Sequence, residues 1–109
     1  MSKQFDCVLR PYDHNSGMGT GRAAYLKTAY VTIDIDVLDP ASAPGTGYPE
    51  PGGITYYQLK EALLLVAKQY DIVGLDLTEV DPVYDAAGVT PRIAAKLLLD
   101  VLGGVFAAA

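Results

Sequence analysis

The chain has 109 residues, half of them apolar and 19% charged, and a formal net charge of -5. That length allows one domain at most, with a limited core, and the composition is that of a globular protein rather than a disordered or disulfide-dense one. The negative balance argues against nucleic acid, which needs clustered Lys and Arg, and Cys7, the single cysteine, excludes an internal disulfide.

The start, Met1 to Asp6, has no apolar run long enough for the core of a signal peptide. Together with the lone cysteine this sets the cytoplasm as the expected compartment. The longest apolar runs, Ala62 to Ala67 and Val101 to Ala109, fall short of the roughly 20 residues that cross a bilayer, so no membrane span is expected. Residues 1–28 show no sustained period and are broken by Pro11, Asn15, Gly17, Gly19 and Gly21, which reads as mostly loop. The single histidine, His14, lies in this segment and reads as a surface-loop residue.

The run from Ala29 to Ile35 is rich in β-branched and aromatic residues, as a buried strand would be. Asp39-Pro40 then opens a stretch holding Pro44, Gly45, Gly47, Pro49, Pro51, Gly52 and Gly53, a turn-rich loop of a length that is usually either functional or disordered. Thr55 and Gln58 have the spacing of a capping box. Behind it Leu59, Ala62, Leu63, Val66 and Tyr70 recur at helical spacing. Ile72 to Leu77 reads as a second buried strand. Thr90 as cap and Pro91 at the first helical position open a second helix, which carries Ile93, Leu97, Leu98, Val101, Leu102 and Val105, and Ala107 to Ala109 reads as a frayed end.

This strand, helix, strand, helix order predicts an α/β fold with a parallel sheet covered by helices. Two strands cannot bury their own apolar faces, so the sequence reads as a slice of a larger sheet.

Asp34 and Asp36 stand two residues apart at the carboxyl end of the first strand, where α/β sheets place ligands. Alternation along a strand would send both carboxylates to one side and Ile33 and Ile35 to the other. Two carboxylates that close repel each other unless one is protonated or a cation neutralises both, and oxygen donors suit magnesium, manganese or calcium. The competing reading is structural: both aspartates cap the strand and its turn, with Asp39-Pro40 as turn starter.

The run Val31-Thr32-Ile33-Asp34-Ile35-Asp36-Val37-Leu38-Asp39-Pro40, with Ala43-Pro44-Gly45-Thr46-Gly47 and Glu50-Pro51-Gly52-Gly53 behind it, is similar to the signature of the ureohydrolases, the arginase and agmatinase family. Val73 to Pro82 resembles that family's second C-terminal motif, and Glu50 to Gly53 with Tyr84-Asp85 resembles its agmatinase-like members.

The resemblance covers about Ala29 to Phe106 and implies that residues 29–109 are the C-terminal part of a three-layer αβα arginase-like domain, preceded by a poorly matching segment at 1–28. By residue, it implies that Asp34 and Asp36 ligate a binuclear manganese centre and that Glu79 grips the substrate's guanidinium group. The implied activity is metal-assisted hydrolysis of an agmatine-like guanidino compound with release of urea, and the implied assembly is a homo-oligomer. The family's upstream histidines and its Asp-x-His-x-Asp cluster have no counterpart in this sequence. The expectation is therefore an incomplete ligand set and an isolated chain that is inactive.

Two other readings compete. An apolar strand ending in Asp-x-Asp also opens the haloacid-dehalogenase phosphatases, with Asp34 as nucleophile, Asp36 as acid/base and magnesium. That scheme leaves the Pro-Gly loop and Thr78-Glu79-Val80 unused. The other is a non-enzymatic piece that associates through exposed apolar helices.

Overall fold

A computed structural model describes residues 28–108. The expectations for the segment before Thr28, including the loop reading and the role of His14, lie outside the described residues, as does Ala109. The order of elements is strand β1 (Thr28–Asp34), a 3-10 turn (Ile35–Val37), helix α1 (Tyr56–Gln69), strand β2 (Asp71–Thr78), a second 3-10 turn (Pro82–Tyr84) and helix α2 (Val89–Ala108). β1 and β2 pair in parallel, as the alternation of strands and helices requires when each crossover is long.

Each element forms for a local reason. The capping box of α1 is complete: Thr55 Oγ1 accepts the N–H of Gln58 at 3.2 Å, and the Gln58 side chain accepts the N–H of Thr55 at 2.9 Å. Leu59, Leu63 and Ala67 form its buried stripe. α2 begins one residue before the predicted cap, at Val89, so that Thr90 and Pro91 both lie in its first turn. It also runs to Ala108, where the sequence suggested fraying.

The two strands are not in simple register. Ala29 pairs with Ile72 but Tyr30 pairs with Gly74, which leaves Val73 as the extra residue of a bulge. The bulge shifts the phase of alternation, so Ile72, Leu75 and Leu77 all pack against the core. Gly74 serves the opposite face: a Cβ there would collide with the Tyr30 ring, which lies across it. From that position the Tyr30 hydroxyl reaches Asp76 Oδ2 at 2.8 Å, and Thr32 Oγ1 donates to Asp76 Oδ1 at 2.5 Å.

The core joins one face of β1 (Val31, Ile33) and the following Ile35 and Leu38 to Leu59 and Leu63 of α1 and Ala94, Leu97 and Val101 of α2. Ile35, Leu38, Leu59, Leu97 and Val101 are fully buried, and each such side chain contributes about 1.5–3 kcal/mol. Both helices thus contribute to the core against one face of β1. The other face, with Tyr30, Thr32 and Asp34, is exposed among the described residues, whereas the sequence pattern predicted burial on both sides. α1 and α2 are also tied through Asp100 of α2, which accepts from Lys60 at 3.0 Å and from the Tyr56 hydroxyl at 2.6 Å, both on α1, and from Lys96 of its own helix at 3.0 Å.

Among the described residues no helix is long and apolar enough to cross a membrane.

Candidate active site

β1 ends at Asp34, one residue before the predicted limit, and the chain enters a 3-10 turn at Ile35. Strand alternation therefore does not set the direction of Asp36. A turn does: Asp34 Oδ1 accepts the backbone N–H of Asp36 at 3.1 Å, capping the turn with the first carboxylate and bringing the second aspartate into its opening residues. Asp34 is exposed, Asp36 half-buried, and Ile35 between them is completely buried. The apolar anchor fixes the turn from inside.

Asp34 pairs across the sheet with Thr78, the last residue of β2, whose hydroxyl lies 3.5 Å from the Ile33 carbonyl. Glu79 follows directly, so Asp34, Asp36 and Glu79 all lie at the carboxyl ends of the two parallel strands. Glu79 has φ of 67°, the only non-glycine residue with positive φ among the described residues. A Cβ makes that conformation unfavourable, and such strain, of order 1–3 kcal/mol, is tolerated where surrounding structure imposes it, often at functional sites. Nothing in the residue string of this segment announces it.

The Pro-Gly loop is ordered by a dense set of hydrogen bonds. At its start Asp39 accepts the N–H of Ala41 at 3.0 Å and of Gly52 at 3.1 Å, and its carbonyl accepts from Ser42 and Ala43. The loop closes on itself through the bridge of Leu38 with Ile54, with Asp39 N–H to the Ile54 carbonyl and Ile54 N–H to the Val37 carbonyl, both at 3.0 Å. Asp39 thus acts as the predicted turn starter.

At its middle the loop docks on the start of α2. The Gly45 N–H donates to Thr90 Oγ1 at 2.8 Å, and the Gly45 carbonyl accepts the N–H of Asp81 at 2.8 Å. A Cβ on Gly45 would lie 2.8 Å from Asp85 Cβ and 2.9 Å from Thr90 Oγ1. Thr90 N–H in turn donates to Asp85 Oδ2 at 2.5 Å. Thr90 is 0% and Asp85 7% exposed. Thr90's backbone N–H, opposed by burial and helped by its hydroxyl and by the N–H groups of Val89 and Gly88, holds the Asp85 carboxyl below its usual value of 3.8. Asp85, rather than the Thr90 hydroxyl, accepts the amides at the start of α2, a role the sequence concealed because Asp85 lies four residues before Val89.

Thr46, next to Gly45, is 2% exposed and its hydroxyl lacks a hydrogen-bond partner among the described residues.

The donor chemistry at the sheet end fits a hard divalent cation in kind, since two aspartates share one turn. It falls short in number: among the described residues no three His, Cys, Asp or Glu groups form a cluster that could hold a metal ion.

Comparisons with known proteins follow the same outline. Residues 18–103 match the Arginase family, a match that begins inside the segment set apart at 1–28. The agmatinase of Bacillus cereus is 51% identical over 79 residues, covering 72% of this chain and 27% of that protein. The guanidinopropionase of Pseudomonas aeruginosa is 45% identical over 73 residues, covering 67% of this chain and 23% of its own length. Among solved structures, the proclavaminate amidino hydrolase of Streptomyces clavuligerus superposes with a TM-score of 0.68 at 40% identity, over 73% of this chain and 26% of that one. The chain thus spans about a quarter of the length of the relatives it matches.

Proposed function

The chain belongs to the arginase family, and from that premise we propose that it supplies the C-terminal part, residues 29–109, of a manganese-dependent hydrolase that cleaves an agmatine-like guanidino compound and releases urea. One observation carries the reading: Asp34, Asp36 and Glu79 lie at the same end of one parallel strand pair, two in a shared turn and the third just beyond Asp34's cross-strand partner.

Asp34 and Asp36 would hold the metal, with further ligands drawn from outside the described residues. When bound, such a cation supplies a nucleophile by lowering the pKa of water. Glu79 does the rest of what this segment offers. As an exposed carboxylate it accepts N–H groups from a planar guanidinium, a charge-assisted contact that neutralises the substrate and fixes its central carbon relative to the aspartates. The left-handed backbone at Glu79, just beyond the end of β2, supports a functional role for this residue.

Agmatine as the substrate rests on the likeness of Glu50 to Gly53 and of Tyr84-Asp85 to agmatinases, and on the relatives' names. Self-association is part of the same reading, as is a cytoplasmic setting.

The test is a chimera in which residues 28–103 replace the segment they match in the Bacillus cereus agmatinase. Manganese-dependent urea release should be retained, with agmatine preferred over arginine and guanidinobutyrate. A chimera that folds, binds manganese and releases no urea from any of the three would refute the proposal. Phosphate release from p-nitrophenyl phosphate with magnesium would instead favour the phosphatase reading.

A further inference from the structure

We propose that Thr90 is a positioning residue that couples the Pro-Gly loop following the aspartate pair to the loop carrying Glu79, so that metal ligands and guanidinium carboxylate keep one mutual geometry; this rests on the function proposed above.

Three contacts meet at Gly45. Its N–H is held by Thr90 Oγ1, its carbonyl holds the N–H of Asp81, and the space its missing side chain would fill is taken by Thr90 and Asp85. Asp81 lies two residues beyond Glu79, and its own carboxylate accepts the N–H of Val83, which fixes the turn on the far side. On the near side, Asp39 fastens the Pro-Gly loop directly behind the turn that carries Asp34 and Asp36. The path from Asp36 to Glu79 therefore has a hydrogen-bonded middle, with Gly45 as the junction between the loops and buried Thr90 as the hub that holds Gly45 in place. Asp85 fixes the hub, because its carboxylate accepts the N–H of Thr90.

A residue that only started α2 would need no acceptor turned toward another loop. Thr90 turns its hydroxyl oxygen toward Gly45, and with that acceptor removed the Gly45 N–H is left buried and unpaired. Such a loss is commonly large enough for a change of about tenfold in a local opening equilibrium.

The test compares Thr90→Val with Thr90→Ser. In the full chain, amide exchange at both Gly45 and Asp81 should quicken together by about tenfold in Thr90→Val and stay near the native rate in Thr90→Ser. In the agmatinase chimera, Thr90→Val should raise KM for agmatine about tenfold, with kcat changed less than about twofold and manganese stoichiometry unaltered. Thr90→Ser should restore KM.

Faster exchange at Gly45 alone, or a lowered Tm with KM unchanged, would overturn the coupling. Should the native chimera release no urea, the functional reading fails, while exchange at Asp81 still decides whether Thr90 joins the loops. If Thr90→Val does not fold, Gly45→Ala provides the second perturbation, since its Cβ would press on Thr90 and Asp85; unchanged Asp81 exchange there contradicts the proposal.

Discussion

The helical layer and the loop end of this chain are ordered by different means. Between α1, α2 and β1 the order comes from apolar periodicity: Leu59, Leu63, Ala94, Leu97 and Val101 close on Val31, Ile33 and Ile35. At the carboxyl ends of the strands it comes from individual hydrogen bonds among Asp34, Asp39, Gly45, Asp81, Asp85 and Thr90. The first kind tolerates approximate side chains so long as volume is kept. The second depends on particular atoms, and that is the end on which the proposed chemistry stands.

Substitutions can separate the two regimes. The largest effect on stability is expected at Leu97, fully buried where α2 meets the core: Leu97→Ala should cost about 2–5 kcal/mol in denaturant unfolding. A loss below about 1 kcal/mol would mean that the helical layer is not the main support. Next comes Glu79→Gln in the agmatinase chimera, which keeps size but removes charge from the proposed guanidinium partner. KM for agmatine should rise about tenfold to a hundredfold, since a charged hydrogen bond contributes about 1.5–3 kcal/mol. An unchanged KM would take Glu79 out of substrate binding.

Ionisation offers a gentler probe of the helical layer. Burial first, then the hydrogen bond and charge of Asp100, push the Tyr56 phenol from 10.0 up to about 12. A raised pKa stabilises the folded state below the unfolded value and loses that contribution as pH climbs through the folded one. Stability should therefore fall between about pH 10 and 12, and Tyr56→Phe should flatten that limb. On the acid side the Tyr56, Lys60 and Lys96 side chains hold Asp100 well below the usual carboxylate value of 3.8, so its contribution is lost only as pH drops below that value toward the folded one.

The smallest effect should come from Thr46→Val. Its buried hydroxyl has no hydrogen-bond partner among the described residues, so removing it should change stability by less than about 1 kcal/mol. A larger loss would show that the hydroxyl is used.

This contrast also explains what could be read from the residue string. Strand and helix order, the Thr55–Gln58 capping box and the parallel pairing follow from local spacing and composition. So does the place of the aspartate pair at a strand end. The turn that redirects Asp36, the bulge at Val73, the left-handed backbone of Glu79 and the capture of Gly45 by Thr90 were not legible. Each depends on a partner distant in sequence or on a backbone angle that side-chain type does not specify. Asp85 lies in a stretch that resembles agmatinases, yet its helix-starting role depends on where α2 begins.

In the proposed function Asp34 and Asp36 hold the metal while Glu79 serves the substrate, and this division of roles can be measured. It is tested most directly by counting manganese bound per subunit in chimeras carrying the native segment, Asp34→Asn or Glu79→Gln, with urea release followed on the same samples. Asp34→Asn should lose manganese and urea release together, and Glu79→Gln should keep full manganese while agmatine turnover falls at low substrate. Native manganese content in Asp34→Asn, or manganese loss in Glu79→Gln, would contradict it.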